Sequence, residues 1–355
     1  MLTISKGCGG LKNIKSGYKD IYTENKIGGF TTKKIVTDTP IKGDGTILSA
    51  QGLGKDGLNI AVMTKKLGFN VTPFIVKNEM GKELWDERLE TAFWFHKKQG
   101  LPLRIIDTNY YDIRSEKHLT QGFFPEFIII PLAYHLNSQA IHNGIHIQYQ
   151  NFRESDYALH CPQATIFGLE MVGKVTGIPI SSPHIGLTNY GAQKLFGETN
   201  KELLPFQRSC QKGLPWCNNC FKCYDHYMVC KILGYNTDKM KLSPTNFDLE
   251  MIRRSIVNHG GVGSIQNLQV YGKYRFNKEP DLWVTGVNKP AYDTCYKGKE
   301  YLDYIAETLE VYKHDPGRDG YGWTSNPSVW NKVIEKGYLE AYNDYNNSGN
   351  KTTDN

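Results

Sequence analysis

Five of the eight cysteines lie between residues 210 and 230. The first four of these five have the spacing C-x6-C-x2-C-x2-C and are Cys210, Cys217, Cys220 and Cys223. Each C-x2-C pair lets two thiolates reach one ion from a single turn, and four thiolates complete a tetrahedral zinc site. Because such a site has no open coordination position, the spacing predicts a structural Zn²⁺ ion rather than a catalytic one.

Three alternatives remain for this cluster. Cys230 follows Cys223 at the same interval that separates Cys210 from Cys217, so spacing alone does not decide whether Cys210 or Cys230 is the fourth ligand. An iron–sulfur cluster is also compatible with three cysteines at two-residue intervals. Free thiols are the third interpretation, which the close spacing of four cysteines disfavours.

A glycine-rich turn follows the first clear strand signal. Residues 45–50 have the pattern of a strand, and residues 51–57 carry three glycines before an apolar pattern of helical period begins. The backbone N–H groups of such a turn and the N-terminus of the next helix form an anion site suited to phosphate. Lys55 adds a positive charge, and Asp56 in the first helical turn could help to hold Mg²⁺.

The sequence thus predicts a phosphate-binding turn with Lys55 and Asp56 as its catalytic residues. The full set of predicted nucleotide-binding residues is Ser49, Gln51, Gly52, Gly54, Lys55, Asp56 and Gly57. The turn is not a Walker A loop, which needs Gly-Lys-[Ser/Thr] after four spacer residues. Its glycines match G-x-G-x-x-G by count, so a dinucleotide site is a weaker alternative, and a plain tight turn is another. Glu79, the nearest acidic candidate for a ribose, lies beyond the end of the second predicted strand.

Strands alternate with helices over the first two thirds of the chain, and this alternation must position both features. The predicted strands are 45–50, 71–76, 103–106 and 145–149, with a strand or loop at 178–180. The predicted helices are 58–67, 82–99, 125–137, 161–176 and 189–196. A strand, glycine turn, helix and strand in succession form a βαβ unit and imply parallel pairing. The predicted fold class is therefore α/β, with a doubly wound, mostly parallel, Rossmann-like sheet.

The chain divides into four predicted segments. Residues 1–40 are an N-terminal extension, and 41–244 form the α/β domain, which includes the zinc-binding segment 208–232. Residues 245–345 form a mainly helical accessory segment, with helices expected at 245–259 and 291–313. The polar tail 346–355 is expected to be disordered.

Composition restricts the class of protein. Of the 355 residues, 39% are hydrophobic and 22% are charged, which is ordinary for a globular protein. No apolar run is long enough for a transmembrane helix, and the N-terminus lacks a signal-peptide core, so we expect a cytoplasmic protein with no membrane partner. The net charge of +6 is mild for this length. It suits anionic metabolites and argues against a dedicated nucleic-acid binder.

Three stretches together resemble one enzyme family. The turn that ends in Gly-Lys-Asp resembles the PP-loop of ATP pyrophosphatases, whose usual form is S-G-G-x-D-S. The four-cysteine motif near the end of the α/β region is similar to that of the 7-cyano-7-deazaguanine synthase family. Residues 181–189, Ser-Ser-Pro-His-Ile-Gly-Leu-Thr-Asn, resemble that family's Pro-Leu-x-Gly-Leu-(Ser/Thr)-Lys segment, and residues 154–161 resemble its substrate-side loop. The resemblance covers about residues 45–232.

The resemblance implies an ATP-dependent ligase that forms carbon–nitrogen bonds in queuosine biosynthesis. That family uses ATP, Mg²⁺, Zn²⁺, ammonia and 7-carboxy-7-deazaguanine. It activates the carboxylate as an acyl-adenylate and releases pyrophosphate, and ammonia then displaces AMP. The resemblance also implies that Asp156 hydrogen-bonds the edge of the purine-like base and that His184 faces the substrate. Members of the family commonly form homodimers.

The chain also departs from the family pattern, which leaves two alternatives open. Gly57 stands where the family has its final Ser, Phe-Pro-Glu at 124–126 replaces Gly-Arg-Asn, and Asn189 replaces a Lys. One alternative is another PP-loop enzyme, such as one that inserts sulfur into tRNA, which would favour an iron–sulfur cluster and a basic surface. The other is a nucleotide-binding paralogue that has lost catalysis.

Overall fold

The computed structural model describes residues 45–76, 82–106, 124–146, 169, 172–210, 213, 215–244, 269–274, 277, 279, 286–310 and 313–314. In chain order the strands are β1 (Thr46–Ala50), β2 (Asn70–Val76), β3 (Arg104–Ile106), β4 (Ala140–His142), β5 (Ile180–Ser181), β6 (Val287–Asn288) and β7 (Lys313–His314). The labelled helices are α1 (Lys55–Lys66), α2 (Lys82–Gln99), α3 (Phe124–His135), α4 (Asn189–Asn200), α5 (Phe221–Ile232) and α6 (Gly298–Thr308). Two 3-10 helices, Lys201–Phe206 and Lys289–Thr294, precede the cysteine cluster and α6.

The main sheet has five parallel strands in the order β3-β2-β1-β4-β5. β1 lies at its centre because Ile47 and Leu48 are fully buried and both faces of the strand are covered. The chain moves outward from β1 to β3 and then returns to the other side of β1 at β4. This reversal creates a switch point between β1 and β4, where α/β proteins open a crevice at the carboxyl ends of the strands. The predicted doubly wound α/β fold is confirmed.

Helices cover the two faces of the sheet. On one face Leu58 and Val62 of α1 pack with Phe95 of α2 and Phe196 of α4. On the other face Ile129 of α3 belongs to a cluster with residues of β1, β2, β4 and β5. Neighbouring residues of β2 divide between the clusters, since Phe74 joins one and Ile75 the other, as the alternation of side chains along a strand requires.

The fourth strand differs from its prediction. The strand lies at Ala140–His142, and residues 145 and 146 of the predicted strand 145–149 lie in the loop after it, whereas residues 147–149 lie outside the described residues. Residues 145–149 do alternate between apolar and polar side chains. The strand that pairs with its neighbours nevertheless lies earlier in the chain, because Ile141 pairs with both Leu48 and Ile180. The consequence for function is that His146 lies in the loop at the carboxyl end of the sheet rather than inside a strand.

The single helix predicted at 291–313 is also wrong. Lys289–Thr294 is a 3-10 helix, α6 begins at Gly298 and ends at Thr308, and Lys313 already belongs to β7. Lys297 has φ +56°, which interrupts the helical path. A side chain at 298 would meet the Tyr292 carbonyl oxygen at 2.0 Å, so a glycine is needed where the chain restarts as a helix.

The C-terminal helix α6 packs into the core of the α/β layer. Tyr301 and Ile305 are fully buried in one cluster with Met63 of α1 and Leu195 of α4. The Tyr301 hydroxyl also lies 3.1 Å from Thr64 Oγ1 and 3.4 Å from His142 Nδ1. Residues 298–309 therefore cover the β4–β5 side of the sheet.

Several predicted segments lie outside the described residues. They are the extension 1–40, Asp156 and its loop, most of the helix 161–176, the helix 245–259 and the tail 346–355. Of the helix 161–176, residues 169 and 172–176 are helical. Within the described part of the chain, no helix combines the length and the apolar character that crossing a bilayer requires.

Candidate functional site

The glycine turn connects β1 to α1 at the switch point. The Gln51 N–H donates to the Phe74 carbonyl at 2.8 Å, which holds the turn against β2, and Leu53 is buried in the left-handed region at φ 55°. Gly54 is the N-cap of α1 and supplies no side-chain cap. The first N–H groups of α1 are therefore not used by a capping side chain and carry the positive end of the helix dipole at the crevice.

Gly57 is a glycine for a steric reason. A Cβ at this position would lie 2.9 Å from the carbonyl oxygen of Ala50 and 3.3 Å from Gln51 Oε1. The first turn of α1 thus sits directly on the end of β1, and no side chain fits between them. The departure at Gly57 from the S-G-G-x-D-S pattern follows from this close packing.

Ser49 and Gln51 shape the turn from inside. Gln51 Nε2 donates to Ser49 Oγ at 3.0 Å and to the Gly57 carbonyl at 2.8 Å, and both side chains are buried. These bonds tie the end of β1 to the first turn of α1. Contact of Ser49 and Gln51 with a nucleotide stays a prediction. In this structure Gln51 Nε2 is bonded within the protein, whereas Gln51 Oε1 is buried and has no hydrogen-bond partner among the described residues.

Asp56 is a partly buried carboxylate at the start of α1. Its Oδ2 accepts from Lys55 Nζ at 2.8 Å, and its Oδ1 accepts from His184 Nδ1 at 3.0 Å. His146 Nε2 lies 3.8 Å from Oδ2. Burial raises the pKa of Asp56, but the positive charge of Lys55 and the hydrogen bond from His184 outweigh burial and hold the pKa well below its usual range. Asp56 is therefore ionised at neutral pH.

His184 holds Asp56 in position. Its Nε2 lies 3.1 Å from Asn59 Nδ2, and Asn59 Oδ1 in turn accepts from Thr199 Oγ1. Because the Asn59 amide donates a hydrogen bond, Nε2 of His184 is the acceptor. Nδ1 therefore carries the proton and donates a hydrogen bond to Asp56. The ring is fully buried with both nitrogens bonded inside the protein. Direct contact of His184 with substrate stays a prediction, whereas the geometry makes it a positioning residue.

The loop after β4 brings His146 to the site. Gly144 is required there, because a Cβ would meet Asp56 Cβ at 2.9 Å. Burial lowers the pKa of His146 to about 3, so this imidazole is neutral beside the carboxylate. The structure separates the two histidines of this region: His142 lies in β4 against Tyr301, and His146 faces Asp56.

Helix α5 adds a second group of polar residues, which the sequence analysis did not predict. Burial raises the pKa of Asp225 to about 6, while Lys55 and Lys222 lower it, so both cations lie within electrostatic reach. Burial and the same two cations hold the pKa of His226 well below its usual value. Asp225 also accepts a hydrogen bond from Asn189 Nδ2. The signal was present as Lys222, Asp225 and His226, which share one face of a helix at i, i+3 and i+4.

The four predicted cysteines converge. The sulfur atoms of Cys210, Cys217, Cys220 and Cys223 all lie within 4.8 Å of one another, and they are the one group of this kind among the described residues. Cys223 Sγ is 3.5 Å from Cys220 Sγ and 3.7 Å from Cys217 Sγ. Cys230 is not a member: its buried thiol lies 3.9 Å from Met240 Sδ. Of the two candidates for the fourth position, the structure places Cys210 in the group.

The surroundings of the cluster suit a bound cation with four thiolates. A tetrahedral ion with metal–sulfur bonds of about 2.3 Å separates its sulfurs by about 3.8 Å, close to the observed distances. Four thiolates around Zn²⁺ leave an excess of negative charge, and Arg88 and Lys222 both lie within electrostatic reach of the cluster. The donor set therefore fits a single ion, with neighbouring positive charge to compensate it.

Comparison with known proteins leaves the family open. No family model matches the chain, and no curated protein matches it. Among solved structures, a U34-tRNA thiolase from Methanococcus maripaludis with its [4Fe-4S] cluster aligns over 78% of this chain and 86% of its own. The sequence identity is 11% and the TM-score 0.36, which is too low to establish a common fold. The chain is thus defined by its own features, a doubly wound α/β protein with a glycine turn at the switch point and a four-cysteine cluster.

The steric role of Gly57 makes the first prediction. Gly57→Ala should destabilise the protein by about 1–3 kcal/mol, since the added methyl overpacks the contact with Ala50. Gly52→Ala is the matched control, because nothing lies within 4 Å of a Cβ at that position. It should change stability by no more than about 0.5 kcal/mol. Urea denaturation measures both, and equal effects would contradict the packing.

Proposed function

We propose that the protein is an ATP-dependent enzyme that activates a carboxylate as an acyl-adenylate. The observation that carries this proposal is the ionised Asp56 beside Lys55 at the uncapped start of α1, where the sheet reverses its direction. Oriented N–H groups and a lysine favour the phosphates of a nucleotide. The carboxylate of Asp56, 18% exposed, is the kind of hard oxygen ligand that binds Mg²⁺.

The site is suited to charge stabilisation rather than to covalent catalysis. In the first step a carboxylate oxygen of the substrate attacks the α-phosphorus of ATP, and the bond from that phosphorus to pyrophosphate breaks. Negative charge then develops on the leaving pyrophosphate, where the N–H groups of the turn, Lys55 and Lys222 would stabilise it. A bound Mg²⁺ would supply further charge neutralisation between the phosphates. His184 keeps the carboxylate of Asp56 oriented for that ion.

The second step is attack by ammonia or an amine on the acyl carbon. The new carbon–nitrogen bond forms, the bond to AMP breaks, and the nitrogen loses a proton. We propose 7-carboxy-7-deazaguanine as the carboxylate, on the resemblance of residues 45–232 to its synthase family. Asp156, outside the described residues, is the proposed partner of the base edge.

The cysteine cluster has a structural role in this proposal. Cys220 is the N-cap of α5, and the next turn of that helix carries Lys222, Asp225 and His226. A metal held by the four sulfurs would therefore fix the start of α5 relative to α1. Zinc is the proposed ion, because the sulfurs approach one another as ligands of a single atom do. An iron–sulfur cluster binds its cysteines through different iron atoms, which holds the sulfurs further apart.

Pyrophosphate release tests the proposed reaction. Metal-loaded protein with ATP, Mg²⁺, ammonium and 7-carboxy-7-deazaguanine should release pyrophosphate and AMP in equal amounts. Lys55→Met and Asp56→Asn should each lower the rate by about 10²–10³, as the loss of one group that stabilises developing charge does. Lys66→Met, at the exposed opposite end of α1, is the control and should keep the wild-type rate.

The outcomes separate the substrate from the reaction class. Pyrophosphate with another carboxylate, and none with 7-carboxy-7-deazaguanine, would reject the deazaguanine alone. ATP binding without pyrophosphate for any carboxylate tested would reject adenylation and favour the non-catalytic paralogue.

Metal analysis tests the ion. Protein purified without oxygen should be colourless and contain one zinc per chain. Cys220→Ser should lose the zinc and unfold at lower temperature, because metal-binding energy contributes to folding. Cys230→Ser is the matched control and should keep the zinc, since this thiol lies outside the group. A brown protein rich in iron would contradict zinc and support the sulfur-inserting alternative.

A further inference from the structure

Arg88 of α2 contacts both parts of the proposed site, the glycine turn and the cysteine cluster. Its Nη1 donates to the carbonyl oxygen of Gly52 at 3.2 Å, in the glycine turn. Its Nη2 donates to the carbonyl oxygen of Cys210 at 2.5 Å, at the first cysteine of the cluster. The residue is 6% exposed, so the guanidinium bridges the two segments within the protein interior.

The backbone reinforces this bridge. The Arg208 N–H donates to the Leu53 carbonyl at 2.7 Å. A Cβ at Gly54 would lie 3.3 Å from Ser209 Oγ, so residues 208–210 run directly against the turn. Three successive residues of the turn, Gly52 to Gly54, therefore contact the segment that leads into the cluster or the arginine bonded to it.

The turn needs such external support. Leu53 has φ 55°, a conformation that costs an ordinary residue about 1–2 kcal/mol and persists only where its surroundings impose it. The carbonyl groups before and at Leu53 are held by Arg88 and by the Arg208 N–H. Both hydrogen bonds depend on the position of residues 208–210, and the Cys210 sulfur is one of the four that would bind the metal.

We propose that Arg88 is a positioning residue through which metal in the cysteine cluster sets the conformation of the phosphate-binding turn. The inference rests on the proposed function for the identity of the two ligands. It adds that the two sites are coupled. Because coupling is reciprocal, nucleotide in the turn must also raise the affinity of the cluster for the metal.

Two properties of arginine make this role specific. The planar guanidinium presents donors in a rigid fork, so one side chain can reach two carbonyls in different segments. Lysine keeps the charge but is a point donor and cannot hold both. Arg88→Lys therefore removes the bridge between the two carbonyls but keeps the positive charge, and Arg88→Met removes both.

The experiment is amide hydrogen exchange across the turn, with metal content and ATP affinity measured on the same samples. The reporter amides are Arg208 N–H, bonded to Leu53, and Leu58 N–H, bonded to Gly54. Chelation of the metal should speed exchange at these amides more than in α3 on the opposite face of the sheet. ATP should bind about tenfold more weakly to the stripped protein, and it should raise the metal affinity of the wild type, measured by competition with a chelator, by the same factor.

The Arg88 variants, measured with metal bound, separate the effect of losing Arg88 from the effect of losing the metal. With metal bound, Arg88→Lys and Arg88→Met should both show fast exchange in the turn and weaker ATP binding, with α3 unchanged. Arg208→Met is the matched control, since its side chain bonds the carbonyls of Pro205 and Gln207 and the carboxylate of Glu87. It should retain slow exchange in the turn.

Each result decides the question. Slow exchange in the turn of metal-loaded Arg88→Lys and Arg88→Met would overturn the inference, as would equal metal affinities with and without ATP in a protein that binds ATP. If chelation unfolds the whole chain, the metal-loaded variants decide alone. If metal-loaded wild type binds no nucleotide, the proposed function fails, while exchange at the reporter amides still decides whether Arg88 couples the cluster to the turn.

Discussion

The ionised carboxylate of Asp56 is the constraint on which the site depends. A partly buried charge is costly unless other groups compensate it, and here Lys55 and His184 bond its two oxygens. Each partner imposes a further requirement. His184 must be the Nδ1–H tautomer, which Asn59 enforces, and the loop after β4 must carry Gly144 so that the backbone can pass against Asp56. The strand order supplies the rest, because β1, β4 and β5 bring these loops to one edge of the sheet.

The site also depends on the segment that carries the four cysteines. It leads into α5, whose first turns carry Lys222, Asp225 and His226, and it lies against the glycine turn through Arg88 and Arg208. In the proposed function the cysteine cluster is a closed structural site beside the reactive crevice, so that the cluster would supply rigidity and the crevice would supply the chemistry. The cysteines would then lie close to the site and yet take no part in the proposed reaction.

Local patterns predicted much of the architecture. The βαβ unit, the parallel sheet and the meeting of four cysteines follow from strand alternation, a glycine turn and C-x2-C spacing, all of which are short-range signals. The errors arose where tertiary contacts decide. Strand β4 is fixed by pairing with Leu48 and Ile180, and the break before α6 is fixed by the close approach of Gly298 to Tyr292. Pattern within residues 140–149 or 291–313 cannot contain those contacts.

The site was predicted in part for the same reason. Lys55 and Asp56 could be proposed from the turn alone, and Cys210 became distinguishable from Cys230 only once α5 turned the latter towards Met240. Arg88, Asn59 and His146 have no local signal of function. They act through partners between 36 and 140 positions away, as the Arg88–Gly52 and Asn59–Thr199 contacts illustrate. A single sequence does not show such pairs.

The central claim is that the turn after β1 and the start of α1 bind the phosphates of a nucleotide. A crystal structure of the metal-loaded protein with a non-hydrolysable ATP analogue and Mg²⁺ tests it most directly. The account predicts phosphate oxygens within hydrogen-bond distance of the N–H groups of residues 52–57 and of Lys55 Nζ, with Mg²⁺ near Asp56. An analogue bound elsewhere on the chain, with this edge of the sheet unoccupied, would contradict it.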